Sequence, residues 1–394
     1  MAASPPVRIC FISPLGYGLY NQASQYPFGG AEVQFYLLSR ELARDPAYEV
    51  SVLTTVADAP GTEQHGHLTL IKRTAGGRLS TGRAAGWLAV PARWKGYAAA
   101  FMEMYRLLKS IDADLYIHAG AGVEVGAYAL ICRLLRRRFM YVVVSSADLD
   151  DPYGKVGGPL KWLYPTGLRL ADRIVCQTEE HQAALNVRYG RESALIRPGH
   201  EIPGHMPEIS APGGKTGVLW VGRGHPLKQP ELFLDLAERL PKERCVMVIM
   251  QDPLHPGVMQ NIRARASGLG NLTLHRDVPW SDVGRFFEEA KLFVNTSTYE
   301  GFPNTFVQAA MQAAPILSWA VDPDGVLARH GIGSCAGGSF ERLVAQAEQL
   351  CAEESRRADM GRRARDYARE YHDLHRSVGE LKAMAQLLRA GMPR

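Results

Sequence analysis

The sequence predicts an α/β protein made of two doubly wound, Rossmann-like domains joined by a linker. Three observations carry this expectation. The 394 residues exceed what one hydrophobic core ordinarily organises and suit two domains of roughly 150–200 residues each. Short apolar runs alternate with amphipathic stretches through both halves, the pattern of parallel strands connected by helices. Between the halves, residues 199–216 (GHEIPGHMPEISAPGGKT) are dense in Pro and Gly and carry no periodic pattern. The expected layout is a first domain at 1–198, a linker at 199–216, a second domain at 217–370 and a C-terminal helix at 371–394 that can cross back to the first domain.

The elements follow in order. Residues 7–13 (VRICFIS) are an apolar run stopped by Pro14, as in a strand buried on both faces. Gly29 and Gly30 open a helix with Val33, Tyr36, Leu37 and Leu42 at helical spacing. Strands are expected at 49–55 and 68–72, whereas 76–96 is basic, glycine-rich and gives no element. Then come a helix at 97–109, a strand at 114–118, a helix at 127–137, strands at 139–145 and 172–176, and a helix from 179. The pattern restarts after the linker. Strands at 217–222, 245–250, 272–274, 292–295 and 316–318 alternate with helices at 230–240, 258–267, 281–290 and 306–313, Ser281 being the expected N-cap. Residues 340–388 read as helices rich in Arg, Glu and Ala. In open sheets of this kind a ligand sits in the cleft at the carboxyl ends of the strands.

Bulk properties narrow the class. No stretch approaches ~20 uninterrupted apolar residues, so no transmembrane helix is expected, and the N-terminus lacks a secretory pattern. The six cysteines are widely spaced, with no CxxC pair or Cys/His cluster, which predicts neither a zinc site nor a disulfide framework and suits a cytoplasmic setting. The net charge of +5 lies in the first 200 residues, and 72–138 holds 12 basic against 4 acidic residues. That stretch, with Trp87, Arg93, Trp94 and Lys95, could meet the inner face of a membrane or an anionic acceptor, or be a solvated face.

Four constellations could carry chemistry. In 295–308 (NTSTYEGFPNTFVQ) a strand runs into a polar turn and a helix begins near Asn304. Amide groups at such a start, with the helix dipole, bind anions or hydroxyls. Glu300 precedes it, Gly301 permits close backbone approach, and Gln308 lies one turn in. The plain alternative is a strand–helix turn. In 221–234 (VGRGHPLKQPELFL), Arg223 and Lys228 lie in a strand-end loop and suit a diphosphate, or are simply solvated. Gly29 and Gly30 open the first helix, and His118 ends its strand before a glycine-rich turn; each also has a purely structural reading. Residues 16–21 (GYGLYN) half match a dinucleotide fingerprint, but the third Gly is missing and no helix is expected there.

Taken in order, these pieces resemble the retaining glycosyltransferases of the GT-B fold, glycosyltransferase family 4, over nearly the whole chain. The matches are Gly29 and Gly30, His118 in DLYIHAG, the ADRIVCQTEEHQAAL…IRPG phrase, Gly222 and Arg223 with Lys228, and the Ser…Glu-Gly-Phe segment. The resemblance implies two domains facing a central cleft and transfer of a hexose from a nucleotide-sugar, UDP- or GDP-linked, to a glycan or lipid-linked glycan. It implies retention of configuration, no metal and no cofactor; no nucleic-acid partner is expected. Arg223 and Lys228 would neutralise the leaving diphosphate, Glu300 would hold the sugar hydroxyls, and His118 would orient the sugar. Amides of Gly301, Phe302, Pro303, Asn304 and Thr305 would line the site (Pro303 by its carbonyl side alone). One departure matters: the family's second acid falls at Gln308, an amide that hydrogen-bonds a ribose diol without charge assistance. Two other readings stay open, a GT-B nucleotide-sugar epimerase and a silent nucleotide-sugar binding protein.

Overall fold

The computed structural model describes residues 5–21, 28–57, 59–74, 90–150, 159–203 and 215–391, with the backbone alone for 90–94. The chain forms two compact units, Met1–Ile196 with Ser377–Arg394, and Arg197–Arg376. The boundary therefore precedes the expected linker, of which 204–214 lie outside the described residues.

The first unit contains β1 (Val7–Ile12), α1 (Tyr17–Tyr20), α2 (Gly30–Leu42), β2 (Tyr48–Val56), β3 (Gly61–His65), β4 (Leu68–Thr74), α3 (Val90–Ile111), β5 (Leu115–Ala119) and α4 (Val123–Leu134). It continues with β6 (Arg138–Val143), α5 (Ser146–Asp150), α6 (Leu163–Leu170), β7 (Arg173–Cys176), α7 (Glu179–Tyr189) and β8 (Ala194–Leu195). The strand order is β3-β4-β2-β1-β5-β6-β7-β8, with every neighbour parallel except the β3–β4 hairpin. Ile9, Cys10, Phe11 and Ile12 are all buried, so β1 is covered on both faces and reads as a continuous apolar run. Helix α4 crosses α6 at a glycine pair: a Cβ on Gly126 would lie 2.1 Å from the Leu163 carbonyl oxygen, so only Gly admits this crossing.

The second unit holds β9 (Gly217–Arg223), α8 (Pro230–Arg239), β10 (Arg244–Met250), α9 (Pro256–Ala266), β11 (Leu272–Arg276), α10 (Trp280–Glu289), β12 (Ala290–Asn295) and α11 (Asn304–Met311). After these come β13 (Ile316–Ser318), α12 (Val326–Arg329), β14 (Gly333–Cys335), α13 (Phe340–Ala352) and α14 (Glu354–Tyr371). Its parallel sheet runs β11-β10-β9-β12-β13-β14 and is cored on both faces, by Trp220, Phe233 and Met247 on one and Phe287, Phe293 and Phe306 on the other. Helix α15 (Leu374–Ala390) gives its residues from Ser377 onward to the first unit, where Lys382 Nζ meets Asp45 Oδ2 at 2.7 Å and Gln386 Nε2 donates to the Tyr48 hydroxyl at 3.2 Å.

Several expectations need correcting. A one-turn helix, α1, does form at 17–20, where no helix was expected. Ser281 is not an N-cap; Pro279 holds that position, and the Ser281 hydroxyl lies 3.0 Å from Asp282 Oδ1 inside α10. The basic stretch is partly self-neutralised: Arg137 pairs with Asp112 and Asp114, and Arg138 with Asp172. Trp87 and the side chains of Arg93 and Trp94 lie outside the described residues. No helix among the described residues is long and apolar enough to cross a membrane.

Candidate functional site

In the second sheet the chain reverses its direction of winding between β9 and β12, whose connections leave to opposite sides. At such a switch point the loops beyond the strands' carboxyl ends diverge and leave a crevice. The loop after β9 carries Arg223 and Lys228, and the loop after β12 carries 296–303. The sequence motifs, 72 residues apart at Lys228 and Glu300, thus become neighbours.

Side chains stitch the two loops together. Lys228 Nζ donates to Glu300 Oε1, which also accepts from the Ser297 hydroxyl at 2.7 Å. Behind this knot, Trp220 Nε1 donates to Thr296 Oγ1 at 2.8 Å, and the Thr296 hydroxyl donates to the Lys228 carbonyl at 2.6 Å. The Thr298 amide donates to the Leu227 carbonyl at 2.9 Å. Trp220 and Thr296 are fully buried, so the backbone at Lys228 is held from below by a satisfied network. Gly222 serves this arrangement: a Cβ there would stand 2.9 Å from the Trp220 ring.

Arg223 turns toward the end of β10. Its Nε lies 3.5 Å from Asp252 Oδ2, which also faces His255 Nδ1 at 3.2 Å. Asp252 is buried, and its pKa is lowered because the Leu254 amide, Arg223 and His255 outweigh the opposing effect of burial. His225 caps the short 3-10 turn Pro226–Lys228: its Nδ1 accepts from the Leu227 amide at 3.1 Å. Burial, then Arg223 and His255, push its pKa down to about 4. His225, Asp252 and His255 bring three possible metal-ligand atoms within 4.8 Å of one another. His225 Nδ1 is taken up by the Leu227 amide and Asp252 faces the Arg223 guanidinium, so the same side chains also brace the loop after β9. The cluster's only local signal is a D-x-x-H spacing at 252–255.

Helix α11 starts at Asn304 with Pro303 at the N-cap and no side-chain cap, and the Phe306 amide donates to the Pro303 carbonyl at 3.0 Å. Asn304 Oδ1 accepts from His200 Nε2 at 3.2 Å. Phe302 and Pro303 are buried; the Phe302 ring lies 4.4 Å from that of His372, so Phe302 is a core anchor whose backbone alone can face a ligand. Gly301 is buried, and Thr305 and Gln308 are half-buried along α11. His372 Nδ1 donates to the Pro198 carbonyl at 2.8 Å, and the His200 amide donates to the His372 carbonyl at 2.8 Å. The two histidines thereby tie the Glu300 loop to both ends of the unit, a role no local sequence signal marks.

In the first unit, β1 and β5 flank the corresponding switch point. Gly29 and Gly30 sit at the start of α2, where Glu32 turns back to accept the Gly29 amide at 2.9 Å. His118 ends β5 and is buried, with Nδ1 donating to the Ile12 carbonyl at 3.3 Å and the ring edge-on to Tyr128. Nε2 has no hydrogen-bond partner among the described residues. Burial lowers the pKa against the nearby Glu124, so the neutral ring keeps a lone pair on Nε2.

Comparisons with known proteins show the family and the fold. Residues 28–201 match the family model described as Glycosyltransferase Family 4, and residues 203–367 match that described as Glycosyl transferases group 1. The chain belongs to glycosyltransferase family 4. This glycosyltransferase is 28% identical over 178 residues to a D-inositol 3-phosphate glycosyltransferase of Mycobacterium sp. (strain JLS), a match spanning 41% of the chain and 40% of that relative. Its fold is similar to sucrose-phosphate synthase from Thermosynechococcus elongatus, with TM-score 0.74 and 15% identity over 98% of this chain and 99% of that one. It is also similar to the Anabaena protein HepE, solved in complex with UDP and glucose, with TM-score 0.65 and 15% identity over 96% and 99%. The fold of this glycosyltransferase is therefore GT-B.

Proposed function

We propose that this glycosyltransferase moves a hexose from a UDP- or GDP-sugar to a glycan or lipid-linked glycan, with retention of configuration and without a metal. The observation that carries the reading is the Lys228–Glu300–Ser297 knot at the switch point of the second sheet. It places a cation for the diphosphate beside a carboxylate for sugar hydroxyls. Arg223 supplies a second cation, and the uncapped start of α11 supplies amides. As the bond from the anomeric carbon to the diphosphate breaks, charge builds on the leaving oxygen, and cations and amides fixed in advance stabilise it. The acceptor oxygen bonds to the anomeric carbon and its proton passes to the leaving phosphate, so no protein nucleophile is required. His118 fits a supporting role: its Nε2 lone pair can accept a sugar hydroxyl. The UDP and glucose in the Anabaena complex favour a UDP-hexose donor. The excess of basic residues at 72–138 supports an anionic or membrane-borne acceptor, tested by co-sedimentation with anionic liposomes at low and high salt.

The deciding experiment is a donor screen by calorimetry and by hydrolysis. UDP or GDP should bind, and one nucleotide-sugar should be slowly hydrolysed. Failure of every nucleoside diphosphate to bind sinks the reading; binding with no turnover on any acceptor favours the silent binding protein that Gln308 suggests.

A further inference from the structure

The first unit carries a pocket of about 410 Å³ that none of the chemistry above uses. It lies between the last turn of α2 and the β3–β4 hairpin, lined by Tyr20, Tyr36, Arg40, Arg44, His65 and His67. Strand β4 begins at Leu68, opposite Val50 near the start of β2, and α2 ends at Leu42. The pocket is thus at the amino-terminal edge of the parallel sheet. Gly29, Gly30 and His118 are at the opposite edge, so this is a separate site of the same unit.

Its chemistry is one-sided. The nine described residues that line it include two arginines and two histidines and no acid. Two acids outside the lining pair with it: Glu41 with Arg44, and Glu63 with His65 at 3.4 Å. Arg40 Nη1 donates to the Tyr36 hydroxyl at 2.6 Å, with the guanidinium 4.9 Å from the Tyr36 ring centre. Tyr20 meets Tyr36 edge-on at 5.0 Å and His65 at 5.9 Å, and its hydroxyl is 2.9 Å from Ser39 Oγ. Aromatic rings locked by such contacts lose little entropy on binding, and guanidinium forks recognise planar anions. The volume suits a small polar ligand.

We propose that this pocket binds an anionic saccharide, one bearing a carboxylate or a phosphate ester. The choice of a saccharide rests on the transferase reading; the choice of an anion rests on the lining alone. Such a site would hold a charged residue of a substrate chain away from the reacting sugar, or a charged sugar that reports on supply.

Saturation-transfer NMR on the full chain tests it with D-glucuronate, glucose 6-phosphate and glucose as observed probes, and with inorganic phosphate as a competitor against glucose 6-phosphate. Glucuronate and glucose 6-phosphate should bind with Kd on the order of 1 mM. Arg40→Ala and Arg44→Ala should each weaken them about tenfold, the loss of one charge-assisted hydrogen bond. Glucose should bind at least about tenfold more weakly. The proposal is overturned if neither charged sugar binds, if glucose binds equally well, if both arginine variants keep wild-type affinity, or if inorganic phosphate competes as tightly as glucose 6-phosphate binds. Circular dichroism and thermal denaturation of the same samples show that the variants are folded, and UDP binding is measured beside them. Loss of UDP binding in the wild type would instead count against the transferase reading and leave the pocket result standing.

Discussion

His200 and His372 make the Glu300 loop sensitive to acid. Burial holds His200 down at about 4 against the ordinary 6.5, partly opposed by its bond to Asn304. Burial likewise holds His372 at about 3, against the pull of the Pro198 carbonyl and with a further push from His200. Both folded values lie below the unfolded one, so between them the unfolded chain binds more protons. Stability from both histidines is therefore full above pH 6.5 and is lost as pH falls toward 4. At pH 5 each unfolded histidine is nearly fully protonated and each native one nearly neutral, which costs about 2 kcal/mol per site relative to pH 8. The conservative probe is His372→Asn, whose amide can still donate to Pro198 but cannot titrate. A cavity beside Phe302 should cost about 1–2 kcal/mol at every pH. The pH-dependent part of the loss should shrink by about 2 kcal/mol between pH 8 and pH 5. Hydrogen exchange by mass spectrometry, on peptides covering 296–311 and 370–376 and corrected for intrinsic rates, measures both. His200→Gln, keeping a donor toward Asn304, should remove a similar share. If protection in these peptides falls equally with pH in wild type and both variants, the histidines are not the cause.

Other outcomes follow from the same site. Glu300→Gln should leave UDP affinity unchanged or improved while lowering kcat/KM about 10- to 100-fold, since a hydrogen bond to a charged group is worth about 1.5–3 kcal/mol; a fall in UDP affinity matching the fall in kcat/KM would contradict the assignment. Gln308→Glu should tighten UDP by about 5- to 10-fold if the side chain meets the ribose, because charge assistance roughly doubles a hydrogen bond; calorimetry decides, and no change removes Gln308 from the ribose site. Thr296→Val strands the buried Trp220 indole N–H and the Lys228 carbonyl and should cost about 2–3 kcal/mol in urea denaturation. Adding Trp220→Phe should recover part of that loss in a double-mutant cycle, and strict additivity would mean the two do not interact.

Much of this was legible in the sequence because it is local. Strands buried on both faces announce themselves as apolar runs, as in 7–12 and 244–250, and the loops after β9 and β12 carry their cations and carboxylate in short phrases. The elements missed are those whose residues obey no local period. β3 (GTEQH) is largely exposed and held only by pairing with β4. β8 and β14 are two and three residues long. α1 is a single turn. The supports of the site are long-range and so were invisible: Trp220 and Thr296 are 76 residues apart, and His200 and Asn304 are 104 apart. Phe302 belonged to the legible motif, yet its ring faces Tyr367 and His372 in the core.

The knot itself explains why the motif contains both a cation and an acid. Lys228 and Glu300 pair with each other, with side chains 30% and 13% exposed. A pair at that depth lies between a surface ion pair, worth about 0–1 kcal/mol, and a buried one whose breaking leaves an uncompensated charge. A nucleoside diphosphate alone competes with Glu300 for Lys228 and leaves the carboxylate behind. A nucleotide-sugar offers both halves of an exchange: phosphate oxygens to Lys228 and hydroxyl donors to Glu300, while Ser297 keeps its hold on Oε1. On the proposed reading the full donor would be favoured over its product by the carboxylate, and the product would regain a competitor once the sugar had left. That asymmetry disfavours retention of the spent diphosphate, and it depends on Glu300 carrying a charge.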